Sequence, residues 1–155
     1  MIDKTEIIEQ PAFYIVGLSV RTTNQNGQSQ NDIGGLWGRI MQNNLLLKIE
    51  DKVSEDTYCV YTDYETDYTG FYTTIIGCKV SSLDKISEGF SGITIAAGKY
   101  HVYDLSGKFP ENVHAAWQEI WGSDVKRAYT ADFDQYAANA KSFEDTEVKI
   151  YLAVK

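Results

Sequence analysis

Two amphipathic stripes set 80 residues apart constrain this chain more than any other feature. Val113, Ala116, Trp117, Ile120 and Trp121 fall at the i, i+3, i+4, i+7 and i+8 spacing of one helix face, and Ile33, Leu36, Trp37, Ile40 and Met41 repeat it. Each member of the first stripe lies 80 residues before its counterpart, as Trp37 and Trp117 show. Pro110 suits a first helical turn, where a missing N–H costs nothing, and Gly122 supplies a stop, so the second helix is predicted over 110–121. Asn31 and Asp32 are the capping candidates of the first.

A stripe alone would mean little, but its surroundings repeat as well. β-rich residues 13–21 precede the first helix and residues 99–105 precede the second. After the first helix come 57–65 and 71–80, dense in Tyr, Thr, Val and Ile and joined through a polar turn with Gly70. After the second come 127–136 and 147–154, separated by a looser Ala-Asn-Ala-Lys stretch. The pattern is β-α-β-β twice, over about 5–80 and 97–155. Residues 81–96 read as a connection whose turns suit Gly89, Gly92 and Gly98. Such halves bury their apolar faces by joining sheets edge to edge. The expected fold is one α+β domain over 1–155, an antiparallel sheet with both helices on one side and a ligand groove at the pseudo-twofold seam.

Charge narrows the function. Fourteen Lys and Arg against 22 Asp and Glu give a net charge of −8 with no basic cluster. That argues against direct nucleic-acid binding, where phosphate neutralisation dominates affinity, and favours cationic ligands. No apolar run approaches the ~20 residues that span a bilayer, and residues 1–10 lack the basic and apolar segments of a signal peptide. No membrane partner and a cytoplasmic location are expected. Cys59 and Cys78 form neither a disulfide framework nor a zinc set, and no cofactor or metal is implied. A hairpin turning symmetrically about Tyr68 and Thr69 would place these two buried, reduced thiols opposite each other.

In the last strand Val148, Ile150, Leu152 and Val154 share an apolar face, leaving Glu147, Lys149, Tyr151 and Ala153 on the other. The symmetric hairpin pairs Tyr61 with Ile76, Asp63 with Thr74 and Glu65 with Tyr72. Sheet faces turned away from the helices are therefore expected to be rich in tyrosine. Eleven Tyr and three Trp exceed what a core of this size needs, and tyrosine suits a pocket wall with one polar end.

These residues carry a resemblance over essentially the full chain. Ala97-Gly98-Lys99-Tyr100-His101-Val102-Tyr103 followed by Gly107, Trp117 in the second helix, Ala131-Asp132-Phe133-Asp134-Gln135-Tyr136, and Thr146 to Leu152 resemble the GyrI-like or AraC-type bacterial effector-binding domain family. The resemblance implies a tandem β-α-β-β fold, free-standing or fused to transcription regulators. It also implies a groove in which a buried glutamate of a Phe-Glu-x-Tyr motif faces lipophilic cations. Asp134 stands at that position, one methylene shorter, so a partner would approach more closely or through water. A carboxylate in an aromatic pocket must be offset by a cation or by hydrogen bonds.

Asp134 and Glu147 are thus the candidate acids, and Trp37, Tyr61, Tyr72, Trp117, Tyr136 and Tyr151 the candidate walls of a site for a small organic ligand. Cation–π contacts contribute roughly 0.5–2 kcal/mol each, whereas micromolar binding needs about 8 kcal/mol. Apolar burial must supply the remainder, which predicts tolerance for several flat or amphipathic ligands. Two alternatives accompany this reading. Some proteins of similar fold hydrolyse electrophilic small molecules, yet no Gly-x-Ser-x-Gly or other nucleophile–base motif is present, and His101 and His114 read as structural or solvated. Others bind a topoisomerase as acidic interaction modules, yet acids here are dispersed apart from Asp63, Glu65 and Asp67 at the hairpin tip. Strand signals begin almost at once, so a role in transcription would require a partner protein, or action as a ligand sink.

Overall fold

The structure is a computed structural model that describes residues 2–138 and 147–155. Eight strands, β1 (Ile2–Gln10), β2 (Phe13–Thr23), β3 (Thr57–Thr62), β4 (Phe71–Val80), β5 (Ser91–Ile95), β6 (Gly98–Leu105), β7 (Ala131–Tyr136) and β8 (Val148–Ala153), form one sheet. Its order is β1-β6-β8-β7-β3-β4-β2-β5, and every neighbouring pair is antiparallel. Helices α1 (Gln28–Asn43) and α2 (Glu111–Trp121) share one core with Leu18, Cys59, Ile76, Tyr136, Ile150 and Leu152, so both lie on the same face of the sheet. The α+β repeat is therefore as expected, with β3 against β7 at the seam.

Two strands escaped the sequence reading. β1 is rich in charge, and β5 falls in the stretch 81–96 that reads as a connection. Gln10 pairs with Gly98 and Phe13 with Ile95 in a single register, so β1 runs on into β2 and β5 into β6 as the two long strands of one antiparallel ribbon. Each half thereby lends its first strand to the outer edge of the other half. Beyond a register shift between Ile2 and Lys4, the ladder pauses at Pro11-Ala12 and Ala96-Ala97, where Pro11 has no N–H to leave unpaired. Ile95 is fully buried, which explains why an otherwise Gly-flanked segment is strand.

Other boundaries also differ. α1 begins at Gln28 after Gly27, with φ of 70°, and Asp32 lies inside the helix accepting a hydrogen bond from Gln28 Nε2 at 3.1 Å. Met41, counted in the apolar stripe, is exposed. β3 stops at Thr62 because Asp63 takes a left-handed conformation (φ 50°), its carbonyl held by Arg21 Nη1 at 2.6 Å. The hairpin ladder therefore pairs Tyr61 with Thr74 and Cys59 with Ile76, two residues away from the symmetric register. Cys78 pairs with Val16 instead, and both thiols are free and buried. Arg127 makes an isolated bridge to Val154 rather than belonging to β7. Asn139, Ala140 and Lys141 of the looser stretch, and Thr146, lie outside the described residues.

The opposite face of the sheet carries a second core made of strand residues, with Phe13, Tyr58, Tyr100 and Phe133 at its centre. Gly17 and Gly77 oppose each other where β2 meets β4, and a Cβ on Gly77 would lie 2.0 Å from the Val16 carbonyl oxygen. Backbone on both sides leaves nothing that can yield. Gly77→Ala is expected to destabilise the fold by about 3 kcal/mol, at the upper end of overpacking costs, in urea unfolding. A loss under about 0.5 kcal/mol, the range of neutral surface substitutions, would show that the ladder tolerates separation there.

Candidate ligand-binding cavity

Between the two helices and the helix-facing side of the central strands lies a cavity of about 600 Å³, a size that accommodates a drug-sized molecule. Period-two alternation decides which side chains reach it. Tyr61 on β3, Tyr72 on β4 and Tyr136 on β7 point toward the helices, while Trp37 of α1 and Trp117 of α2 close over them. The rings meet edge to face: Trp37 to Tyr136 at 5.2 Å, Phe109 to Tyr136 at 5.2 Å, and Tyr61 to Trp117 at 5.3 Å between centroids. Tyr68 and Trp121 stack with planes 8° apart. On the exposed side, Gln30 of α1 contacts His114 of α2 across the gap.

Asp134 sits behind this wall, fully buried. Its Oδ2 accepts from Tyr61 Oη at 2.5 Å and Tyr136 Oη at 3.2 Å, and its Oδ1 accepts from Trp117 Nε1 at 3.1 Å. All three donors line the cavity, so the carboxylate reaches it electrostatically through aromatic groups. Burial pushes Asp134 up to about 7, and the three hydrogen bonds, which favour the ionised form, offset that only in part. Burial, reinforced by the adjacent carboxylate, also holds the Tyr61 and Tyr136 phenols well above their ordinary value.

A second buried acid, two residues along the same strand, escaped the sequence reading. Asp132 accepts from Tyr64 Oη at 2.5 Å, Arg127 Nη2 at 2.8 Å and the Ala153 N–H at 2.7 Å. Burial lifts this carboxyl above its ordinary value, while the guanidinium and the other donors act against the lift. Asp132 and Asp134 stand at i and i+2 of a strand and so share a face. That spacing was the available signal; Arg127, Tyr64 and Tyr68 gave none, because a loop and a turn bring them in.

Of the eight residues singled out from sequence, Trp37, Tyr61, Tyr72, Trp117 and Tyr136 surround the cavity and Asp134 lies just behind it. Glu147 and Tyr151 do not join them. Glu147 is exposed ahead of β8. Tyr151 faces the opposite side of the sheet, stacked on Phe133 at 4.5 Å, because Val148, Ile150 and Leu152 take the helix-facing side. The tyrosine-lined wall is thus beneath the helices rather than on the far face. His101 is partly buried against Tyr103, away from the cavity.

Comparison with known proteins bears on the family and the fold. A family model for Cass2, integron-associated effector binding protein, matches residues 6–154. The Bacillus subtilis (strain 168) protein YobU, named as a candidate transcriptional regulator, is 31% identical over 145 residues, 90% of each chain. An integron cassette protein from the mobile metagenome of Vibrio cholerae superposes with a TM-score of 0.77 at 31% identity, covering 99% of this chain and 97% of that one. SAV2435, solved bound to tetraphenylphosphonium, superposes with a TM-score of 0.80 at 20% identity, covering 99% and 94%.

The raised value of Asp134 has a consequence for stability. Between the ordinary carboxylate range near 4 and about 7, the folded protein holds a proton that the unfolded chain releases. The stabilisation of the protonated form is complete below pH ~4 and lost as pH rises to ~7, a loss of about 4 kcal/mol at most. Asp134→Asn has no such proton. In urea unfolding at acidic and at neutral pH, wild type is expected to lose stability relative to Asp134→Asn as pH rises, and parallel losses would disprove the assignment.

Proposed function

The chain belongs to the Cass2 family of integron-associated effector binding proteins, and from that premise we propose that its cavity binds lipophilic organic cations. The observation that carries this reading is the buried Asp134 carboxylate, hydrogen-bonded to three ring systems that line the cavity. An isolated buried negative charge is costly, and a cation against the rings offsets it at short range without forming a hydrogen bond of its own. Flat or globular aromatic cations with no acceptor groups match a wall in which Tyr61, Tyr64, Tyr72, Trp117 and Tyr136 already donate their hydroxyl or indole hydrogens within the protein. Tetraphenylphosphonium, the molecule held by SAV2435, has that chemistry. Most of the binding free energy comes from apolar contact, so the specificity is broad in shape and narrow in sign of charge.

Binding couples to protonation. A cation stabilises ionised Asp134, so complex formation expels its proton below about pH 7. In this reading the shorter aspartate replaces glutamate functionally because Tyr61, Trp117 and Tyr136 carry its charge forward to the cavity surface. The chain acts as an effector-binding unit whose output depends on another protein or on sequestration of the ligand.

Tetraphenylphosphonium and tetraphenylborate share one shape and carry opposite charges, which makes them a direct test by tryptophan fluorescence titration. The cation is expected to bind, with affinity rising by up to about tenfold per pH unit toward pH 7 and levelling above it, and the anion to bind at least about tenfold more weakly. Asp134→Asn is expected to remove both the pH dependence and the preference for the cation. Equal binding of the two ions by wild type would refute the proposed site.

A further inference from the structure

Among the described residues lining the cavity, Arg127 is the one Lys or Arg. Its guanidinium lies 4.3 Å from the ring centroid of Tyr129, 5.6 Å from that of Trp117 and 5.7 Å from that of Tyr64. Nη2 is paired with the fully buried Asp132 at 2.8 Å, whereas buried Nε and Nη1 have no hydrogen-bonding partner among the described residues. Ring faces take the place of acceptors there. Tyr129 reaches its position with φ of 56°, a left-handed conformation that a bulky side chain rarely adopts. The backbone is thus held in an unfavourable state that lays an aromatic ring over the guanidinium.

The surroundings of Arg127 have the same composition as those an external cation would meet: a buried carboxylate, Tyr64 bonded to it, and rings on several sides. Trp117 belongs to both assemblies, with its ring toward Arg127 and its Nε1 bonded to Asp134. The cavity therefore has two adjoining aromatic–carboxylate cages that share one indole. One is filled by the protein's own side chain.

We propose that Arg127 is a tethered occupant of the second cage and that it limits the cavity to ligands with a single positive charge. Vacated, that cage would accept a small organic cation, a guanidinium above all, since planar N–H groups fit the Asp132 carboxylate and the flanking rings. Filled, it sets a positive charge one ring away from the first cage. A second cationic centre on the ligand then meets repulsion in place of a free carboxylate. The charge limit rests on the cation-binding reading above; the identity of the cage does not.

Two measurements separate these parts. In Arg127→Ala, thermal unfolding is followed with millimolar ethylguanidinium, which is expected to raise the melting temperature of the variant and leave that of wild type unchanged. A variant that folds only in the presence of ethylguanidinium counts as the same result, and no effect, or an equal effect on wild type, overturns the cage. Tryptophan fluorescence titrations then compare tetraphenylphosphonium with a bis-phosphonium of matched bulk. Wild type is expected to discriminate against the dication, Arg127→Ala to narrow that difference by about tenfold or more, and Arg127→Lys, which keeps the charge, to preserve it. Unchanged discrimination in Arg127→Ala overturns the charge limit. Failure of wild type to bind either phosphonium overturns the cation-binding reading, and the charge limit with it, while ethylguanidinium still judges the cage.

Discussion

A carboxylate with no access to water must be satisfied from all sides, and that requirement at Asp134 ties the two halves of the molecule together. Its donors come from three places: Tyr61 on the seam strand of the first half, Tyr136 on the neighbouring strand of the second, and Trp117 on the second helix. Loss of any one leaves a buried charge less compensated, a penalty larger than the worth of an ordinary hydrogen bond. Asp134 pairs directly with Cys59 across the seam, so the same residue that holds the helix over the sheet also sits on the ladder joining the halves.

Room for a cavity arises from the way the halves are joined. With β3 against β7 in the middle and the paired β1–β2 and β5–β6 strands crossing between the halves, each three-stranded unit is anchored on both flanks. The helices need not seal the seam between them. Gln30 and His114 touch across it, but the volume beneath is left to aromatic side chains that pack on one another edge to face. Aromatic contacts of this kind hold a wall rigid without filling it, because rings separated by 5–6 Å leave space beside them. A second core, on the opposite face, buries the strands' other side.

Two acids two residues apart on one strand would repel if both were ionised and unaccompanied. The fold treats them differently. Asp132 has a resident guanidinium, so its charge is neutralised within the protein, whereas Asp134 has only neutral donors and is poised near neutrality. The difference between a structural and a responsive carboxylate is therefore one of company, not of burial, since both are fully buried. In the sequence Asp134 stands out by its place in the Phe-Asp-Gln-Tyr motif, whereas Asp132 has no such mark, and its partner Arg127 arrives from outside the strand.

Much of the architecture was legible beforehand. The 80-residue spacing of the two stripes, the strands beside them and the motif around Asp134 are local patterns, and periodicity reports which face of an element turns inward. β1 and β5 were not legible, since an edge strand needs a partner more than a pattern, and their partners lie in the opposite half. Nor was the hairpin register, which a single left-handed residue, Asp63, shifts by two positions. For the site, alternation told that Val148, Ile150 and Leu152 share a face and hence that Tyr151 opposes them, but not which face meets the helices. By itself the sequence determined the repeat, the aromatic richness and the acid on the seam strand. Only the tertiary structure decided which rings converge, that Arg127 pairs with Asp132, and that Asp134 has Tyr61, Trp117 and Tyr136 as its donors, because convergence and compensation depend on contacts between residues far apart in the chain.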